Sequence, residues 1–143
     1  MKKVIILFLA LCCTVIASAQ VKCTSSNPDY KIAYKRTIVA DNTVFVDFTV
    51  TYYGNGQVYF RIYAPQIYDD EGNIYSFDSY NVVNVGNTGR NGADISPDIP
   101  IKVRIPIKNV DEFATQFYKM IIQYGNGYDE NTFTITNVPI PRD

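Results

Sequence analysis

Apolar and polar residues alternate with a period of two along several short stretches of the chain. The clearest stretch is residues 43–53, in which one face is apolar: Val44, Val46, Phe48, Val50 and Tyr52. The opposite face carries Asp47, Thr49 and Thr51. Because successive side chains of a β-strand point to opposite sides, this pattern predicts a strand with one face in the core and one face outside it.

Three further stretches alternate in the same way, at residues 30–40, 57–64 and 101–107. In the first, the predicted inner face consists of Tyr30, Ile32, Tyr34, Ile38 and Ala40. In the second, Phe60 and Ile62 are expected in the core and Arg61 outside it. Residues 117–124 are apolar on both faces, which is typical of a central strand that is covered on both sides.

The segment Gly54-Asn55-Gly56 separates two of these predicted strands. A two-residue Asn-Gly hairpin would set Tyr53 opposite Val58 and so pair an apolar face with a polar one. The sequence therefore leaves two alternatives: the loop has three residues, or the two strands lie in different sheets.

Other turn signals complete an all-β pattern. Asp41-Asn42 and residues 69–73 indicate turns, and residues 86–100 indicate a long loop rich in Gly, Asn, Asp and Pro. No long helix is predicted. Seven or eight short, mainly antiparallel strands in residues 30–140 favour a single β-sandwich domain.

Two segments carry a family resemblance: VFVDFTVTYYGNG at residues 44–56 and DDEGNIYS at residues 69–76, followed by a Gly-rich loop and a Val/Ile strand. Over residues 30–124 this order resembles the telokin-like immunoglobulin domains of small secreted bacterial proteins. The resemblance implies an immunoglobulin-like sandwich and export from the cytoplasm, and it brings no settled biochemical role. Pro97-Asp98 stands where the family usually has a Pro-Gly turn.

The first 19 residues have the features of a signal peptide. Lys2 and Lys3 precede an apolar stretch at residues 4–11, and the segment ends in Ala17-Ser18-Ala19. The apolar stretch is shorter than the roughly 20 residues that cross a bilayer. The residues before Cys12 and Cys23 do not fit a lipidation site either.

We therefore expect cleavage near Ala19 and a secreted or periplasmic product without a transmembrane segment. Residues 20–29 are expected to form a flexible N-terminal lead. Cys23 would then be the only cysteine left, which excludes an internal disulfide.

Catalytic chemistry has little support in the sequence. The chain contains no histidine, so Ser-His, Cys-His and His-metal sites are excluded. Adjacent acidic residues occur only in predicted turns or loops, at residues 69–71, 111–112 and 129–130. A turn explains residues 69–73 better than a calcium loop, because Gly72 follows Asp69 by only three positions. No metal or cofactor is predicted, and a formal net charge of −1 gives no electrostatic case for nucleic acid.

The candidate binding residues are outward-facing aromatics and one arginine: Tyr53, Tyr59, Arg61 and Tyr63. Tyrosine combines apolar area with a polar tip, which suits contact with a protein or a glycan at the cell envelope. The alternative is that these rings only pair across strands and stabilise the sheet. The predicted function is a non-catalytic binding module; a carboxylate-dependent, glycan-directed hydrolase or a purely structural accessory domain remain alternatives. Lys102, Arg104 and Lys108 are interpreted as the solvent face of a strand.

Overall fold

The chain forms an all-β structure in a computed structural model that describes residues 20–76, 83–126 and 130–143. Within those residues there is no helix. The strands, in chain order, are β1 Lys22–Ser25, β2 Tyr30–Ala40, β3 Thr43–Tyr52, β4 Val58–Ile62, β5 Gln66–Asp69, β6 Ile74–Ser76, β7 Asn84–Val85, β8 Gly92–Ile95, β9 Ile101–Lys108, β10 Gln116–Gly125 and β11 Asn131–Pro139.

The strands form two antiparallel sheets, one of seven strands and one of four. The seven-stranded sheet has the order β1-β11-β10-β4-β8, and β5 pairs with β10 and with β6. The four-stranded sheet has the order β2-β3-β9-β7. The two sheets pack against each other with the hydrophobic core between them, which is the arrangement of a β-sandwich.

The link from β3 to β4 passes from one sheet to the other. Of the two alternatives for Gly54-Asn55-Gly56, the change of sheet is therefore the one that occurs. The apolar faces of both strands consequently meet in the core instead of forming a hairpin. The other predicted turns are also found: Asp41 and Asn42 take φ of 49° and 64°, and Gly72 takes φ of 89°.

Aromatic rings from both sheets fill the centre of the core. Tyr124 stacks on Phe133 with ring centroids 3.7 Å apart, and Phe60 lies against both rings. Across the sandwich, Phe48 of the four-stranded sheet meets Phe133 edge-on at 6.5 Å. The predicted core residues Val46, Phe48, Val50, Phe60 and Ile62 are all fully buried, which confirms their assignment.

One strand departs from the predicted alternation. The register of β2 against β3 shifts between Tyr34 and Arg36, so Lys35 is an extra residue. Such a β-bulge reverses the side on which every later residue lies. Ile38, predicted to face the core, instead pairs with outward-facing Phe45 and is 38 % exposed.

Two strands lie where the sequence predicted none. β1 occupies part of the expected flexible lead and pairs with β11, and β8 lies inside the expected long loop and pairs with β4. Both are four residues long. The seven or eight predicted strands become eleven in the described residues, because strands this short carry too few positions to reveal a period.

The predicted signal peptide, residues 1–19, lies outside the described residues. Within the described part, the structure has no helix that is long and apolar enough to cross a membrane. Cys23 is a free thiol on β1, and burial raises its pKa despite a hydrogen bond from the backbone of Tyr34.

Candidate functional site

The predicted binding residues of β4 face outward, as the alternation requires. Tyr59 and Arg61 alternate with the buried Phe60 and Ile62, and Tyr63 continues the outward series. Tyr59 is 45 % exposed, whereas Arg61 and Tyr63 are half-buried. The Arg61 guanidinium carbon lies 5.7 Å from the centre of the Tyr63 ring, a cation–π distance. The outer face of the seven-stranded sheet thus carries a strip of two tyrosines and an arginine.

Tyr53 does not belong to this strip. It directly follows β3 in the four-stranded sheet, and its backbone N–H donates to the carbonyl oxygen of Asp29 at 2.7 Å. Its side chain is 52 % exposed. Sequence proximity suggested a common surface, but the passage of the chain from one sheet to the other separates Tyr53 from the strand that carries Tyr59.

The Tyr59 ring lies against a glycine of the neighbouring strand. A Cβ atom placed on Gly92 would lie 2.6 Å from the hydroxyl oxygen of Tyr59 and 2.9 Å from its Cζ atom. Only glycine leaves room for the ring at this position. The hydroxyl end of the Tyr59 ring therefore packs over a glycine of the adjacent strand, while the residue as a whole stays partly exposed to solvent.

Beside Tyr59 is a shallow, open depression of about 410 Å³. Its described lining residues come from β4, β8 and the loop that precedes β8: Tyr59, Thr88, Arg90, Gly92, Ala93 and Asp94. Asp94 stands directly opposite Tyr59 in the β4–β8 ladder. The depression therefore combines one aromatic face with a carboxylate, a guanidinium and a hydroxyl.

Hydrogen bonds hold the loop side of this depression in place. The Thr88 hydroxyl donates to the carbonyl oxygen of Val85 at 2.9 Å and accepts from the backbone N–H of Arg90 at 3.2 Å. The Asn91 side chain donates to the carbonyl oxygen of Ile62 at 2.8 Å and ties the loop to β4. Because these bonds fix the backbone that carries Arg90, the loop needs little ordering when a ligand binds.

The acidic turn between β5 and β6 has a structural role. The Asp69 carboxylate accepts hydrogen bonds from the backbone N–H groups of Glu71 and Asn73, the Asn73 side chain and the Tyr75 hydroxyl, at 2.8–2.9 Å. Burial acts to raise the pKa of Asp69, but these hydrogen bonds outweigh it and lower the pKa. Burial and the contacts with Asp69 raise the pKa of Tyr75 to about 12.

The neighbouring acids continue this network. Asp70 accepts hydrogen bonds from the hydroxyl and the backbone N–H of Thr115, and Asp111 accepts one from the Asn73 side chain. The turn therefore fastens the loop between β9 and β10. In the described part of the chain, no group of three or more acidic or cysteine side chains is placed to hold a metal ion.

Sequence reasoning identified Tyr59 but missed Thr88, Arg90 and Asp94. These residues lie in the segment that was predicted to be a structureless loop, and their partner strand could not be inferred. The one available signal was that Asp94 separates small or apolar residues in a four-residue run, GADI. No protein-family model matches this chain, and no curated protein or solved structure shows significant similarity to it.

Proposed function

We propose that this protein is a secreted or periplasmic, non-catalytic binding module with an immunoglobulin-like fold, and that it holds a glycan at Tyr59. The two packed antiparallel sheets support the fold assignment, and the signal-like residues 1–19 support the location. The observation that carries the binding proposal is the exposed Tyr59 ring, which lies against Gly92 beside a polar depression.

A sugar fits this site for two reasons. The C–H groups of a pyranose form a flat apolar face that packs against an aromatic ring, and tyrosine offers such a ring at little entropic cost. The hydroxyl groups at the rim of the sugar are both donors and acceptors. Asp94 supplies acceptors and Arg90 supplies donors around the same depression, so both kinds of hydroxyl contact are available.

Binding without catalysis is supported by the roles of the acidic residues. A glycosidase needs a carboxylic acid whose raised pKa keeps it protonated until it donates. The carboxylates of Asp47, Asp69 and Asp70 instead have a lowered pKa and accept hydrogen bonds from their own chain. The lack of histidine removes the most common alternative base.

Affinity electrophoresis tests the proposal. The mature chain is run in native gels that contain soluble xylan, mannan, mixed-linkage β-glucan or starch, and at least one of these should retard it. Tyr59→Ala should abolish the retardation, since an aromatic anchor contributes about 2 kcal/mol, or roughly 30-fold in affinity. Tyr59→Phe keeps the ring and should retain most of the effect.

Tyr118→Ala is the matched control, because Tyr118 is an exposed tyrosine of the same sheet that does not line the depression. Retardation that both alanine variants lose equally would contradict a site at Tyr59. If no polysaccharide retards the protein and crosslinking at Tyr59 captures a protein, the ligand class is wrong. Hydrolysis of a retarding polysaccharide, lost on Asp94→Asn, would show an enzyme instead.

A further inference from the structure

Three basic side chains surround one buried carboxylate on the outer face of the four-stranded sheet. Asp47 of β3 is 1 % exposed, and the Arg104 guanidinium of β9 donates to both of its oxygens, at 2.7 and 2.9 Å. The ammonium of Lys102 and the guanidinium of Arg36 lie 3.7 and 3.8 Å from the same carboxylate. One negative charge is therefore shared among three positive charges.

The cluster retains excess positive charge at neutral pH. The hydrogen bond from Arg104 and the nearby cations lower the pKa of Asp47 despite burial, so this carboxylate stays ionised. It neutralises one cation, which leaves the charge of two. The side chains of Arg36 and Lys102 are more than half exposed and face solvent with that charge.

Arg104 is held in a fixed orientation but retains donors. Its bond to Asp47 uses two of the five guanidinium N–H groups. Its guanidinium carbon also lies 5.2 Å from the centre of the Phe45 ring, which supports it from a second side. The remaining N–H groups can donate to a ligand without any reordering of the side chain.

Beside this cluster is a small depression of about 60 Å³. Its described lining residues are two cations of β9 and two amides at and beyond β7: Lys102, Arg104, Asn84 and Asn87. This is several times the space that one water molecule needs, so it accommodates a group of a few heavy atoms.

The amide side of the depression is also fixed. The side-chain oxygen of Asn84 accepts the backbone N–H of Gly89 at 3.1 Å, which leaves its NH2 group to donate elsewhere. The backbone N–H of Gly86 donates to the carbonyl oxygen of Lys102 at 2.7 Å, and that of Val85 donates to the carbonyl oxygen of Arg90 at 2.8 Å. Hydrogen bonds thus hold β7 and its loop against β9.

We propose that this depression binds a tetrahedral oxyanion, a phosphate or sulfate group. Two cations and two amides offer donors from β7, its loop and β9, and a tetrahedral anion has oxygens pointing in several directions to accept them. A strand face that only repelled edge-to-edge pairing would need the charges alone, without a pocket that also contains Asn84 and Asn87. The proposal is independent of the glycan site at Tyr59.

Side-chain-selective NMR tests this directly. The ¹⁵N-labelled mature chain is titrated with sodium phosphate and, separately, with sodium sulfate, while sodium chloride keeps the ionic strength constant. We expect saturable shifts of the side-chain amides of Asn84 and Asn87 and of the Arg104 Nε–H. Titrations with glucose 6-phosphate and glucose 6-sulfate then show which group the site accepts on a carrier.

Two lysines of β9 provide a matched pair of variants. Lys102→Gln should weaken the affinity about tenfold, because it removes a charged contact. Lys108→Gln removes the same charge from the same face outside the depression, and it should change the affinity by less than about twofold. Equal weakening in both variants, or shifts that never saturate with either anion, would overturn the proposal.

Discussion

Replacing Phe48 by alanine tests the sandwich at its centre. Phe48 lies in the middle of β3, between Tyr34 of β2 and Val103 of β9 in the ladder. Its ring is fully buried and reaches across the core to Phe133. Removing the ring deletes contacts with both sheets at a position where the neighbouring backbone is held by hydrogen bonds on both sides.

The expected loss of unfolding free energy is about 3–5 kcal/mol, the range for truncating a buried phenylalanine. We expect a loss in the upper half of this range, because the edge-on pair with Phe133 contributes about 0.5–1.5 kcal/mol in addition to the burial of apolar area. A domain of this size has roughly 5–15 kcal/mol of unfolding free energy in total, so Phe48→Ala should have a much lower urea midpoint, and at the low end of that range it is partly unfolded even in buffer. Phe48→Leu should lose less, since more of the volume is retained.

Thr49→Ala is the control, since Thr49 is the next residue of β3 and points to the opposite face. Its loss should stay below about 1 kcal/mol, as at most surface positions. Urea unfolding is followed by far-ultraviolet circular dichroism, because the chain has no tryptophan. If the two substitutions lower the midpoint equally, the inward and outward faces of β3 are assigned wrongly.

Two further outcomes follow from the charges and the N-terminus. The pKa values of Asp47, Asp69 and Asp70 are lowered in the folded protein. At a pH above the unfolded carboxyl pKa of about 3.9, these ionised carboxylates therefore stabilise the fold, and this stabilisation is lost as the pH falls below that value. The urea midpoint should therefore drop between pH 5 and pH 2, and by less in Asp69→Asn; a midpoint that is flat over this interval would contradict the assigned hydrogen bonds. Intact-mass measurement of the exported protein should show cleavage between Ala19 and Gln20, and a lipid adduct or a retained N-terminus would contradict the predicted signal peptide.

The sequence alone predicts the inner faces of the long strands. In β3, the regular alternation leaves one assignment that keeps Val46, Phe48 and Val50 out of water. The parity of Tyr53 and Val58 also limited the β3–β4 link to two forms, one of which occurs. Such arguments succeed because burial of an apolar face is worth more than any local preference.

The same reasoning fails where an extra residue shifts the alternation, or where a strand is too short to show one. The bulge at Lys35 is hard to place from the sequence: the adjacent charges Lys35 and Arg36 interrupt the alternation, but the apolar Tyr34 and Ile38 on either side keep the same parity. β8 begins with a glycine and has only one large apolar residue, at its end, so its sequence alone does not indicate a strand. It is a strand because it pairs with β4. Long-range pairing supplies the hydrogen bonds there, and no pattern within four residues encodes the partner.

Both candidate sites depend on such pairings, which is why sequence showed only half of each. Alternation places Tyr59 on an outer face, but the ring becomes a platform only because β8 brings Gly92 beneath it and Asp94 beside it.

The basic stripe of β9 was likewise visible from the sequence as a solvent face. It becomes part of the proposed anion site because β3 brings Asp47 against Arg104, and because β7 and the loop after it add the amide side chains of Asn84 and Asn87. A single acidic residue in a strand of valines and threonines needs a basic partner when the strand is buried in a sheet. Burying its carboxylate unpaired would cost more free energy than the burial of the strand contributes, so a basic strand distant in sequence is the expected neighbour. A pattern of this kind therefore predicts that the two strands that carry these charges are neighbours in one sheet.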